Sequence, residues 1–256
     1  MNKKKLVMLA GKGLSTNILY NSLKEEFEIL SILLEDPVPI IQFIKKRIKK
    51  IGLGKVAGQI IFQLSIAKYL QWSSSRRKKE ILKDFGLDDS PLPEQKIIHL
   101  KSINDSETIL ILQKLRPDLA IVNGTRIISE DVLNSIPVKF LNIHAGITPK
   151  YRNVHGAYWA IVNNDLGNCG VTVHLVDKGI DTGKIIYQRK IEINRKDNFA
   201  TYPLLQLAEG IIYLKKAIRD IFDNKTIYLT NNLESKIWHH PTFWQYLYNR
   251  IVHNKK

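Results

Sequence analysis

The sequence predicts an α/β fold with a mainly parallel sheet and helices on both faces. Two observations predict it. Short apolar runs alternate along the chain with segments of helical periodicity, and several runs are apolar without a break, as in strands buried on both faces. Parallel neighbours need crossover connections, and helices usually supply them.

The elements follow in order. The run 6–10 ends at Gly11-Lys12-Gly13 and leads into a helical pattern through Ile18, Leu19, Leu23 and Phe27, which reads as strand, tight turn, helix. A second strand falls at 29–34. A third follows the turn-forming Pro91-Leu92-Pro93 at 97–100. Asn104 or Asp105 caps a helix that runs to Leu115, and the apolar run 119–122 is a buried parallel strand. Ser129-Glu130-Asp131 opens another helix, 140–143 is strand-like, and 157–162 is helical. Two further strands fall at 171–176 and 185–193. A last helix spans 199–222, capped by Asp197 or Asn198, before an aromatic-rich tail with Trp238, His239, His240 and Trp244. The expected division is a catalytic domain over 1–193 and a C-terminal helix and tail over 194–256 packed on it.

Composition sets the outer limits. The chain has 256 residues, 44% hydrophobic and 25% charged, a globular balance that excludes disorder, collagen and coiled coil. No uncharged apolar run approaches the roughly eighteen residues of a membrane span, and the lysines at 3–5 lead into only five apolar residues, so a cytoplasmic protein is expected. Cys169 is the single cysteine, which leaves no internal disulfide and no thiolate cluster; no metal is expected.

The net charge of +15 is uneven. Residues 43–83 hold twelve Lys and Arg against one acid, Glu80, a net of eleven. This segment, within 37–93, reads as an insertion with its own purpose. It sets Ile40, Phe43, Ile44, Ile48 and Ile51 among basic residues and continues through Val56, Ile60, Ile61 and Leu64, as a basic amphipathic helical hairpin does. Three readings stay open: a solvated lysine-rich face, contact with an anionic membrane surface, or a polyanion site.

Gly11-Lys12-Gly13 invites a dinucleotide reading, but Thr16 stands where that fingerprint has its third glycine. A plain tight turn and a phosphate site built from Gly13, Ser15 and Thr16 stay open.

The strongest pattern is Asn142-Ile143-His144 at a strand end, with Pro149-Lys150-Tyr151-Arg152 just beyond. Alternation puts Asn142 and His144 on one side of the strand, and polar pairs there are costly unless partnered or used. Further on, Gly170-Val171-Thr172-Val173-His174 runs into Gly179-Ile180-Asp181-Thr182-Gly183.

These motifs resemble the folate-dependent formyltransferases, a family that includes glycinamide ribonucleotide, methionyl-tRNA and sugar-nucleotide enzymes. The resemblance implies a Rossmann-like formyltransferase fold, with Asn142, His144 and Asp181 on the family's catalytic positions. It implies 10-formyltetrahydrofolate as formyl donor, held partly by backbone groups at Arg126, Ile127 and Ile128 and in the loop of Asp177, Gly179 and Ile180. His174 either faces the formyl group or hydrogen-bonds in the core, and Asp177 either touches ligand or fixes its loop. Lys150, Tyr151 and Arg152 fall on the acceptor side, where Asn153 replaces the family's usual glycine. Transfer to an amine suits the three residues: Asn142 and His144 stabilise the oxyanion, and Asp181 supports the histidine and accepts the ammonium proton.

The expected acceptor is a small-molecule amine, on an amino sugar linked to a nucleotide or lipid. Only 63 residues follow Ile193, which disfavours the added RNA-binding domain of methionyl-tRNA enzymes, and the insertion disfavours glycinamide ribonucleotide. Folate-dependent hydrolysis, and a non-enzymatic nucleic-acid module on the same fold, remain alternatives; nucleic acid is the least favoured partner. Membrane contact would place the protein peripherally at the inner membrane surface. For Trp238 and Trp244, covering the acceptor, packing the core and forming a homodimer contact all stay open.

Overall fold

The computed structural model describes residues 3–255. Strand β1 (Lys5–Gly11) leads into helix α1 (Leu14–Leu23), whose pattern stops short of the sequence expectation: Phe27 lies beyond the helix, buried in the approach to β2 (Glu28–Glu35). The insertion folds as α2 (Ile40–Ile51), α3 (Leu53–Phe62), one π turn (Gln63–Ala67), α4 (Lys68–Ser73) and α5 (Ser75–Asp84). The expected hairpin is thus only its first half, turned at Gly52, where φ is 86°.

Strand β3 (Ile97–Leu100) returns to the sheet, followed by α6 (Ser106–Leu115) with Asp105 at its N-cap. Then come β4 (Leu119–Asn123), a single turn α7 (Glu130–Leu133), β5 (Phe140–His144), the two-residue β6 (Arg152–Asn153) and α8 (Gly156–Val162). Strands β7 (Gly170–Leu175) and β8 (Ile185–Lys190) precede α9 (Tyr202–Phe222), β9 (Ile237–Trp238) and α10 (Phe243–Ile251). Helix α9 starts three residues later than its sequence pattern, because Thr201 occupies the N-cap and Pro203 the first turn.

The seven-stranded sheet runs β3-β2-β1-β4-β5-β7-β8. Its first four pairings are parallel, and β5–β7 and β7–β8 are antiparallel. The alternation of strand and helix fails at 176–184, where a loop without a helix joins β7 to β8, so those strands must run in opposite directions. Leu6, Met8 and Ala10 of β1 face one layer with α1, α8 and α9; Val7 and Leu9 face the other with α6 and α7.

Helix α9 belongs to the larger of these cores, not to an appendage. A Cβ on Gly210 would stand 2.4 Å from Ile143 Cγ2, so the helix lies close against β5 behind Asn142 and His144. Among the described residues no helix is long and apolar enough to cross a membrane.

Candidate functional site

A cavity of about 790 Å³ opens at the carboxyl ends of β4 and β5, beside the point where strand order reverses between β1 and β4. Open α/β sheets bind ligands at this place. Asn142 and His144 meet Asp181, distant from them in the chain, on its wall.

The strands explain how. Asn142 and His144 are two residues apart in β5 and so share a face. The antiparallel register sets His174 of β7 directly opposite Asn142, with Asn142 Nδ2 3.2 Å from His174 Nε2. His174 Nδ1 lies 2.7 Å from the Leu175 carbonyl, which only accepts, so Nδ1 carries the proton of the uncharged ring and Nε2 of that tautomer receives the Asn142 amide, with Asp181 Oδ1 at 3.7 Å from the same nitrogen. That leaves the second Asn142 N–H for the cavity. His174 is thus a positioning residue for Asn142.

His144 stands between two acceptors. Its Nε2 is 2.6 Å from the Tyr151 carbonyl and its Nδ1 is 3.3 Å from Asp181 Oδ2. The carbonyl requires the proton on Nε2, so in neutral His144 the Nδ1 lone pair faces the carboxylate. Burial holds the imidazole below its ordinary value, and the Asp181 charge and Tyr151 carbonyl only partly oppose that. Burial also opposes ionisation of Asp181. His174, His144 and the backbone N–H of Asn153, 2.8 Å from Oδ2, outweigh it and keep the carboxyl below its ordinary value. At neutral pH the pair therefore lacks one proton between Nδ1 and Oδ2, which makes it a ready proton acceptor.

The sign of the pH dependence follows. As pH falls through the lowered His144 value the vacancy fills and the base is lost, so turnover declines on the acid side and is level toward neutrality. An NMR titration should place the His144 midpoint below 6.5, and Asp181→Asn should move it lower still by removing a charge that raises it. A midpoint above 7 would contradict the assignment.

The Asn153 departure is accommodated. Its φ is 80°, in the left-handed region that glycine favours and Asn tolerates. Its side chain donates to the Trp238 carbonyl at 2.6 Å while its backbone N–H holds Asp181. Pairing of β6 with β9, a Trp238 Nε1 bond to the Lys150 carbonyl at 2.9 Å, and a Trp159–Trp238 stack at 4.8 Å strap this loop to the tail. Trp238 is therefore a buttress of the loop at 150–153, whereas Trp244 is exposed.

Other expected site residues divide. Ser15, Arg126, Ile127, Ile128, Gly179 and Ile180 line the cavity. Asp177 also lines it, while accepting from Gly179 N at 3.0 Å and Thr182 Oγ1 at 2.6 Å to fix its loop. Arg126 is tied inward: its guanidinium pairs with Glu35 at 2.6 Å, and Glu35 also accepts the Arg126 and Ile103 backbone N–H groups.

Five of the expected acceptor residues are not brought to the cavity. Tyr151 is fully buried, with its hydroxyl on Asp165 at 2.8 Å, and Lys150 pairs with the same carboxylate at 2.6 Å. Arg152 donates to the Ile180 carbonyl at 2.7 Å and to Ser235. Buried Thr16 donates to the Gly11 carbonyl at 2.6 Å, and Gly13 is an exposed turn residue. Gly11 is the glycine that the turn needs, since a Cβ there would stand 2.4 Å from the Gly124 carbonyl oxygen.

A family model described as formyl transferase matches residues 4–203. A methionyl-tRNA formyltransferase of Pelotomaculum thermopropionicum is 31% identical over 125 residues, 45% of this chain and 40% of that protein, so the match spans well under half of the curated relative. Among solved structures, a sugar N-formyltransferase from Shewanella sp. superposes with TM-score 0.57 at 13% identity, covering 92% of this chain and 76% of that one. Glycinamide ribonucleotide transformylase 1 from Symbiobacterium toebii gives 0.55 at 18% identity and 92% of both chains. At such identities these two likenesses concern the fold.

Proposed function

The chain belongs to the formyl transferase family, and from that premise we propose that it moves a formyl group from 10-formyltetrahydrofolate to the primary amine of an amino sugar. The observation that carries the reading is the Asp181 carboxylate, held between His144 Nδ1 and the Asn153 N–H on the wall that Asn142 shares.

The cavity suits such a donor. Its volume lies within the roughly 300–1,000 Å³ of small-molecule sites, and its wall mixes apolar Val122, Ile128 and Val176 with the segment 124–127 and the loop residues Asp177, Gly179 and Ile180. Those segments would hold the ring system, and the donor, when bound, supplies a formyl group. Asn142 then presents its free N–H to charge developing on the carbonyl oxygen. The His144–Asp181 pair takes the proton that the attacking nitrogen loses, into the gap between Nδ1 and Oδ2, and would return it to the donor nitrogen as that nitrogen's bond to the formyl carbon breaks. No covalent enzyme intermediate is needed.

The amino-sugar acceptor draws its support from the sugar N-formyltransferase that shares the fold over most of the chain. Incubating the protein with 10-formyltetrahydrofolate and nucleotide-linked amino sugars, glycinamide ribonucleotide or methionyl-tRNA tests it. Tetrahydrofolate release is expected with an amino sugar only. Turnover of either other amine would reassign the acceptor, and release without any amine would make the protein a hydrolase.

A further inference from the structure

The insertion leaves an apolar surface uncovered. Leu53, Ala57, Ile60, Ile61 and Leu64 recur at helical spacing along one side of α3 and its π turn, and all five are exposed, Leu53 by 67% and Leu64 by 64%. The opposite side of α3, with Val56, Gly58, Gln59 and Phe62, is buried. Beyond the π turn Trp72 is 75% exposed. Helix α2 has no fully buried residue: Ile40 and Ile41 are exposed and Ile44, Ile48 and Ile51 half-buried, all within one arc of about 100°.

Cations surround these apolar residues. Lys45, Lys46, Lys49 and Lys50 occupy the rest of the α2 circumference and are exposed, and Lys55 stands at the start of α3. Glu80, the one acid of residues 43–83, is engaged by Arg76, Arg77 and Lys196 and so does not neutralise them.

We propose that this face of the insertion docks on a bilayer surface rich in anionic lipid, with the aliphatic stripe at the headgroup–acyl boundary and the lysines among the phosphates. The charge argues for this occupant. Two copies meeting through the same face would each bring the same positive excess and repel. A nucleic acid would use the lysines and leave the isoleucines and leucines in water. An anionic bilayer satisfies both halves.

The face is coupled to the site. Gln59 Nε2 donates to the His240 carbonyl at 2.7 Å, Gln63 lies 2.9 Å from His240 Nδ1, and His240 lies 2.8 Å from His155, two residues beyond Asn153. Docking would thus set the catalytic loop at a fixed height above the bilayer.

Flotation of the full chain with vesicles tests this. Recovery is expected with phosphatidylcholine doped with phosphatidylglycerol, little with phosphatidylcholine alone, and a steep fall as salt is raised. Ile61→Glu with Leu64→Glu should weaken binding roughly tenfold or more while circular dichroism stays unchanged, since both side chains are exposed. Should that variant misfold, Lys45→Gln, Lys46→Gln and Lys49→Gln together should give the same loss. Equal recovery with both vesicle types, none with either, or undiminished binding by folded variants would overturn the proposal. So would a dimer in light scattering that the glutamates dissolve, or retention of RNA without binding of vesicles.

Discussion

Asp181→Asn should lower turnover by about a thousandfold while leaving folate binding and the fold nearly intact. Removal of a general base costs roughly 10²–10⁴ in rate, and this carboxylate also charges the space beside His144, so the effect stands well clear of the lower end of that range. The substitution is mild in structural terms. Asp181 has φ of 51°, a left-handed conformation that Asn adopts about as readily as Asp, and the Asn Oδ1 can still accept the Asn153 N–H. What it cannot do is take a proton. Asp181→Ala would differ, since it loses both the acceptor and the tolerance of positive φ and should destabilise the loop as well. Steady-state kinetics beside fluorescence titration with a folate analogue separate the two losses. Turnover within about tenfold of the parent would remove Asp181 from the chemistry.

The strands that carry the site were legible because their signals are local. A continuous apolar run marks β4, and alternation within β5 aims Asn142 and His144 the same way. Resemblance of short ordered motifs then named Asp181 as their partner. The groups that make the three residues work carry no such signal. The Tyr151 carbonyl and the Asn153 N–H are backbone atoms, and any residue supplies them. His174 stands across from Asn142 only because β7 runs antiparallel to β5, which strand–helix alternation argues against. The resemblance puts Tyr151, Lys150 and Arg152 on the acceptor side, but Asp165 and the Ile180 carbonyl satisfy them first.

The charged insertion shows the same limit from the other side. Its charge excess and its helical periodicity are plain in the sequence, yet periodicity alone does not say which apolar residues find cover. Val56 and Phe62 do; Leu53, Ile61 and Leu64 do not. Tertiary packing decides that, through the tail helix α10 and the buried Tyr246 that meets Phe62 at 5.1 Å. The tail therefore serves two neighbours, the insertion through Tyr246 and His240 and the catalytic loop through Trp238.

Gly146→Ala should cripple the protein through backbone crowding alone. A Cβ at this position would stand 2.2 Å from the Tyr151 carbonyl oxygen and 2.7 Å from His144 Nε2, the two partners of the bond that orients the histidine. Neither can yield cheaply. Tyr151 is fully buried and held through its hydroxyl by Asp165, and Gly156 N ties the neighbouring Ala145 carbonyl at 3.1 Å. The residue is not in the left-handed region, so the cost is steric: about 1–3 kcal/mol of overpacking, read as a lower unfolding midpoint in urea. The displaced imidazole also loses its fixed tautomer, and turnover should fall by roughly 10²-fold or more even at temperatures where the variant is folded. Gly167→Ala is the matched control, because nothing lies within 4 Å of a Cβ there, and it should leave both quantities unchanged. If Gly146→Ala keeps parental turnover and stability, the Tyr151 carbonyl does not fix the protonation of His144, and the proton vacancy beside Asp181 loses its structural cause.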